Sequence, residues 1–274
     1  MDKIKIFSKS QFSLLWWSGT ISSFGDWATL FGSVALASYL GTEAGNSELT
    51  AIVPLIARIV PALLSSFAGL IADRYDKKII MIFCDVIRMI FVMFLFFADN
   101  LYSIFLINFL SEIFSLIRQP SREAVVPEIV NKENLVKANS LFAIGTYATL
   151  PVASLALGVV SDWNSLELIN ETGNGWSGSI IFLFDTFTFM ASAILLYFLK
   201  NQNKNTLNKK PDVSFKNFKD GLDYFFKTKD IRNISFSISF CLVGAGTLFI
   251  LGHTFLTVDL LSLIHISEPT RRYA

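Results

Sequence analysis

Gly69-Leu70-Ile71-Ala72-Asp73-Arg74-Tyr75-Asp76-Lys77-Lys78 is the stretch that decides how this chain folds. Its last six residues form a short, polar turn with three basic and two acidic residues. Apolar runs flank it on both sides, Thr50–Ala72 and Ile79–Ala98. Each is close to the 20 or so apolar residues that an α-helix needs to cross a bilayer. A turn this short can only reverse the chain, so the two runs read as antiparallel transmembrane helices joined on one side of a membrane.

The same alternation extends in both directions. Further spans are expected over Phe12–Leu40, Leu101–Ile117, Ala138–Val160, Gly178–Leu199 and Ile234–Leu256, separated by polar or turn-rich breaks. Composition agrees. Hydrophobic residues make up 53% of the chain, 27 residues are Phe, and charged residues are 16%, against about 25% in soluble domains. Mean hydropathy is +0.52. One soluble core of this length cannot hide so much apolar surface. The net charge of +1 is uninformative by itself; the placement of charge is not. With alternate segments assigned to the cytoplasm, all Lys and Arg between Lys3 and Arg232 that lie in loops fall on one side. The other side holds only acids, such as Glu43, Asp99 and Glu167. Basic residues resist translocation, so the N-terminus and the long Lys200–Asn233 loop are expected inside. Cys84 and Cys241 sit in apolar runs and read as small hydrophobes rather than a disulfide.

The expected organisation is all-α. Residues 1–200 form a six-helix transmembrane bundle, and 201–233 form an inner loop whose Phe215, Phe218, Leu222 and Phe225 recur at helical spacing. That loop reads as an amphipathic helix, either on the inner membrane face or packed on the bundle. Residues 234–260 begin a second bundle. Leu261-Ser262-Leu263-Ile264-His265-Ile266-Ser267-Glu268-Pro269-Thr270-Arg271 reads as the in-frame translation of a sequencing adapter, so 261–274 are expected to be foreign and the natural chain to continue differently.

The opening stretch resembles the inner-loop signature of major facilitator superfamily transporters, through Gly69, Leu70, Ala72, Asp73, Arg74 and Lys78, with Asp76 in place of the second glycine and Lys77 beside it. Other marks resemble the macrolide-efflux and enterobactin-exporter branch. They include Gly25-Asp26-Trp27, Arg58-Ile59-Val60-Pro61, Asp85-Val86-Ile87-Arg88 and Pro120-Ser121-Arg122-Glu123-Ala124, with Asp185 further on. The resemblance implies two three-helix repeats of inverted topology, a latch built on the signature, and a substrate site at the midplane between two bundles. Gly69 is expected to permit close helix approach. Two departures stand out. The antiporter signature of the fifth span is reduced to Leu150-Pro151 with Ser154-Leu155. The fourth span lacks the usual buried arginine and offers Glu112.

A charge near the bilayer centre costs about 2.5–3.5 kcal/mol, so such residues should face the bundle interior. Asp26, Glu112 and Arg58 are the candidates for proton coupling, or else Arg58 is the structural partner of one of the acids. Asp85 and Arg88, at i and i+3, are expected to pair with each other. Asp185 is expected to reach water at the outer end, and Trp27 is a possible ligand contact. No metal-ligand cluster, nucleophile triad or phosphate loop stands out, so neither an enzyme nor a cofactor or nucleic-acid partner is expected. The expected activity is transport in the cell membrane: proton-coupled export of an amphiphilic small molecule such as an antibiotic or siderophore. Uptake, lipid transport, or a non-transporting sensor or assembly protein are the alternatives.

Overall fold

A computed structural model describes residues 10–43, 50, 52–62, 69, 75–161, 176–200, 223–237, 240, 241 and 244. Asp73, Arg74, most of the seventh expected span, the 201–222 part of the inner loop and the 261–274 tail lie outside the described residues. Within the first unit, Met1–Pro211, the described secondary structure is helical. Six α-helices follow in order: α1 Ser10–Glu43, α2 Val53–Ala62, α3 Lys77–Leu95, α4 Leu101–Ile129, α5 Leu135–Ser161 and α6 Ile180–Tyr197. Among the described residues, Leu101–Ile129, Lys132–Val160 and Ile180–Tyr197 are long and apolar enough to cross a membrane.

α3 shows how these sequences partition. Its buried residues are Ile80, Met81, Cys84, Asp85, Arg88, Val92 and Leu95. Its exposed ones include Ile79, Phe83, Ile90, Met93 and Phe94. Charge is inside and Phe outside, the reverse of a soluble helix. Lipid tails solvate the outer face, and the ionic groups are enclosed by protein. Asp76 starts the helix: its side chain accepts from the backbone N–H of Lys78 at 2.9 Å and Ile79 at 3.3 Å. Asn100 does the same for α4 through the Ser103 N–H at 2.8 Å. These caps fill two orphan donors at the start of α3 and one at the start of α4.

The helix pairs are informative. α1 packs along α5 and α6, α4 packs along α2 and α3, and α3 packs along α6. Exchanging α1 with α4, α2 with α5 and α3 with α6 maps this set of pairs onto itself. That is the packing of two three-helix repeats. Because the exchanged helices are three apart in a chain that reverses at each turn, the repeats have inverted topology. Two clusters of buried side chains fill the bundle. One is built on Leu36, Val92, Ile104, Phe182 and Phe189, the other on Phe12, Leu15, Met81, Val126, Phe142 and Leu196.

α1 and α6 meet at small residues. A Cβ added to Gly25 would collide with the Asp185 carboxylate and the Thr188 hydroxyl, and one on Gly32 would lie 2.6 Å from Ile181. At Gly69 a Cβ would meet nothing within 4 Å among the described residues, and the stretches on either side of it, 63–68 and 70–74, lie outside them. One correction concerns α4. The expected break at Arg118–Lys137 is mostly helix: α4 runs on to Ile129 through Pro120 and Pro127. At 29 residues it is roughly 43 Å long, well beyond the ~30 Å hydrocarbon core. Arg118 is therefore a helix residue, not a loop charge.

The second unit, Asp212–Ala274, is helical over 223–227 and 229–237. Arg232 Nη1 donates to the Phe226 carbonyl at 3.0 Å, and the rings of Phe225 and Phe236 lie 6.4 Å apart. Cys241 is exposed rather than buried.

Candidate substrate cavity and the buried charges behind it

α4 carries charge on two faces. One face is closed. Arg118 Nε lies 2.6 Å from Asp85 Oδ1 on α3, and both side chains are buried. Arg118 Nη2 donates to Ser192 Oγ at 3.1 Å on α6 and to Ser18 Oγ at 3.3 Å on α1. Ser192 Oγ lies 2.7 Å from Asp85 Oδ2 and 2.9 Å from Ser18 Oγ. Four helices are thus tied by one ionic cluster. Enclosing a pair this way is tolerable only when further donors and acceptors are met; the serines meet Arg118 Nη2 and Asp85 Oδ2, while Nε and Oδ1 are joined by the ion contact alone.

The other face opens on a cavity of about 570 Å³. From α4 it is lined by Glu112, Ser115, Gln119 and Arg122, spaced i, i+3, i+7 and i+10. From α5 come Asn139, Phe142, Ala143, Thr146 and Tyr147, and from α1 and α2 come Asp26, Trp27 and Arg58. Polar and aromatic groups share the wall. Trp27 Nε1 is anchored on the Thr146 carbonyl at 3.0 Å, which leaves its indole face as the surface. Arg122 stacks over the Phe142 ring at 5.2 Å, and Gln119 Nε2 donates to Glu123 Oε1 at 3.0 Å.

The charges predicted from sequence redistribute. Asp26 and Glu112 do line one cavity with Arg58, as three candidate groups of one site should. Arg58 is not the ion partner of either acid. Its two Nη atoms make only long contacts, 3.4 Å, with the Asp26 backbone carbonyl. The Asp26 carboxylate pairs instead with Arg88, whose guanidinium also lies 4.3 Å from the Phe189 ring. Asp85 and Arg88 therefore do not pair with each other. They share the buried face of α3, but Asp85 reaches α4 and Arg88 reaches α1. Asp185 does not reach water: it is fully buried, and it accepts from Thr29 Oγ1 and, at 2.7 Å, from Thr188 Oγ1. The buried arginine that the fourth span was expected to lack is Arg118. Glu112 makes no hydrogen bond or ion pair among the described residues, though Arg58 lies within its electrostatic reach.

At the signature end of the bundle, the signature residues that are described act as ties. Lys77 Nζ meets Glu128 Oε1 at 2.5 Å, joining α3 to the end of α4. Lys78 Nζ donates to the Tyr197 carbonyl at 2.7 Å and lies 5.5 Å from its ring, meeting an end-of-helix acceptor on α6. A cation on a helix C-terminus is favoured by the helix dipole.

Comparison with known proteins places this geometry. The family model described as Major Facilitator Superfamily matches residues 15–267. Lysophospholipid transporter LplT of Escherichia coli is 27% identical over 161 residues, which is 59% of this chain and 39% of that protein. Its counterpart in Pectobacterium carotovorum is 30% identical over 143 residues, 52% of this chain and 34% of that protein. The chain thus covers well under two thirds of either relative. A mutant of the peptide transporter POT, solved in complex with sulfate, superposes with a TM-score of 0.50 at 14% identity, over 97% of this chain and 53% of that one. That likeness concerns the fold. The superfamily expected from the sequence therefore stands, but these relatives are lysophospholipid transporters rather than macrolide or enterobactin exporters.

Proposed function

The chain belongs to the major facilitator superfamily, and we propose that the protein carrying it moves single-chain amphiphiles of the lysophospholipid class across the membrane. As a member of that superfamily it is a multi-pass membrane transporter. The carrying observation for the cargo is the cavity itself: charges of both signs, Arg58 and Arg122 against Glu112 and Glu123, beside the aromatic surfaces of Trp27, Phe142 and Tyr147. An amphiphile has the same division. Its headgroup meets the charged wall, and its chain meets aromatic and aliphatic surface. The relatives' printed activity supports the same class. In the whole protein we take the bundle over 1–200 as one of two, joined by the loop over 201–233 to a second that begins at 234–260, with rocking between them alternating access.

The test is flipping of radiolabelled lysophosphatidylethanolamine by the protein encoded at the genomic locus, reconstituted in proteoliposomes. Movement above empty vesicles is expected. A protein that moves a macrolide or a siderophore but no lysolipid would overturn the reading. Proton-coupled export is the second reading, and Glu112 is the observation that favours it, because this carboxylate has no partner among the described residues. Asp26 is the weaker candidate, being held by Arg88. Collapsing the pH gradient in the same vesicles separates the two. Uncoupled flipping is unaffected by it, whereas proton-driven export stops.

A further inference from the structure

Pairing accounts for nearly every charge at mid-bundle. Asp85 is closed by Arg118, and Asp26 by Arg88. Asp185 is held by two threonine hydroxyls. Towards the signature end of the cavity, Glu123 is taken by Gln119 and Arg122 is stacked on Phe142. Two groups that line the cavity have no ion partner among the described residues: the Glu112 carboxylate, and the Arg58 guanidinium, whose Nη atoms reach only the Asp26 carbonyl at 3.4 Å. Arg58 feels Glu112 electrostatically, yet no ion pair joins them. The bundle has thus left one opposite-charge pair without a closing ion contact on the wall of a cavity inside a membrane-spanning bundle, where an unmet charge is costly.

We propose that Glu112 and Arg58 are the two poles of a headgroup site that selects zwitterionic amphiphiles over purely anionic or purely cationic ones. The inference rests on the cargo class proposed above and adds the headgroup. Arg58 offers a planar fork of donors suited to a phosphate, which accepts in the same geometry. Glu112 accepts from an ammonium. A phosphate linked to an ammonium through a short alcohol, as in a phosphoethanolamine headgroup, closes both poles at once. An anionic glycerol headgroup closes only Arg58 and brings its negative charge beside Glu112. A single-chain ammonium surfactant closes only Glu112 and leaves Arg58 unmet. Discrimination by unmet polar groups is stronger than discrimination by size, because the site itself is left uncompensated.

The experiment compares three single-chain probes on the protein in proteoliposomes: lysophosphatidylethanolamine, lysophosphatidylglycerol and a long-chain trimethylammonium surfactant. The native protein is expected to favour the zwitterion over the anion by about tenfold or more, the scale on which an unpaired buried charge weakens recognition. Glu112→Gln keeps the shape and should erase most of that preference while sparing lysophosphatidylglycerol. Glu112→Asp should retain part of it. Arg58→Gln should weaken both phosphate lipids and spare the surfactant. Membrane-inserted protein, quantified for each variant, normalises the rates. An unchanged zwitterion-to-anion ratio in Glu112→Gln overturns this inference and leaves lysolipid transport standing. Transport of none of the three probes by the native protein overturns the cargo class and this inference with it.

Discussion

Glu112 and Arg118 are six residues apart on one helix, and they meet opposite fates. Six residues turn an α-helix by about 240° net of one full turn, so the two side chains leave α4 on different faces. Arg118 enters a sealed cluster where Asp85, Ser18 and Ser192 meet its donors. Glu112 enters a cavity and meets nothing among the described residues. Charge in a membrane is expensive in both places. In the first its cost is offset inside the protein, so the cluster serves the fold. In the second it is left open, so the group is available to a ligand.

That contrast can be broken by mutation, and the largest effect should come from the sealed side. Arg118→Leu leaves the Asp85 carboxylate buried without a counter-charge, and breaking such a pair costs about 3–5 kcal/mol. Expression of folded protein should collapse, and adding Asp85→Leu should recover most of it, as read by thermal unfolding in detergent. A smaller loss is expected at the α1–α6 contact. Gly25→Leu forces these helices apart and should cost about 1–3 kcal/mol, as overpacking does, with Gly25→Ala milder in the same assay. Ser192→Ala removes one hydroxyl from the sealed cluster and should cost about 1–3 kcal/mol, the penalty for leaving buried partners unmet. Ser115→Ala, on the cavity wall of α4, should leave the unfolding temperature where it was. The smallest effect belongs to the tie at the signature end: Lys77→Ala should change stability by about 1 kcal/mol or less, because the Lys77–Glu128 pair is partly solvated.

Much of this was legible in the sequence. The apolar runs and the one-sided loop charge sufficed for an all-α bundle, and α1, α5 and α6 fall close to where those runs lie. The end of α4 was not legible, because Pro120, Arg122, Glu123 and Pro127 are the residues that usually mark a loop. In this helix Ser121 Oγ donates to the Ile117 carbonyl at 3.1 Å, and the chain continues helical past both prolines. A signal was present. Ile104, Asn108, Ser111, Arg118, Ser121 and Val125 fall on one buried stripe, which places Arg118 inside the bundle. The ionic partners were beyond reach for a different reason. Asp85 and Arg88 are neighbours on one helix face, so local spacing favours pairing them. Which helix each side chain reaches depends on α1, α4 and α6 closing around α3, and that is tertiary information. The cavity's residues were legible one by one, Asp26, Arg58 and Glu112 among them. The absence of a partner for Glu112 among the described residues was not, because a single sequence lists charges without saying which ones meet.

The most direct test of the account measures unfolding and lysolipid transport side by side for Arg118→Leu and Glu112→Gln in the protein encoded at the genomic locus. The account predicts that Arg118→Leu loses the fold, while Glu112→Gln unfolds at the native temperature and is altered in headgroup selection. Glu112→Gln destabilising the bundle as much as Arg118→Leu, or transporting every probe as the native protein does, would contradict it.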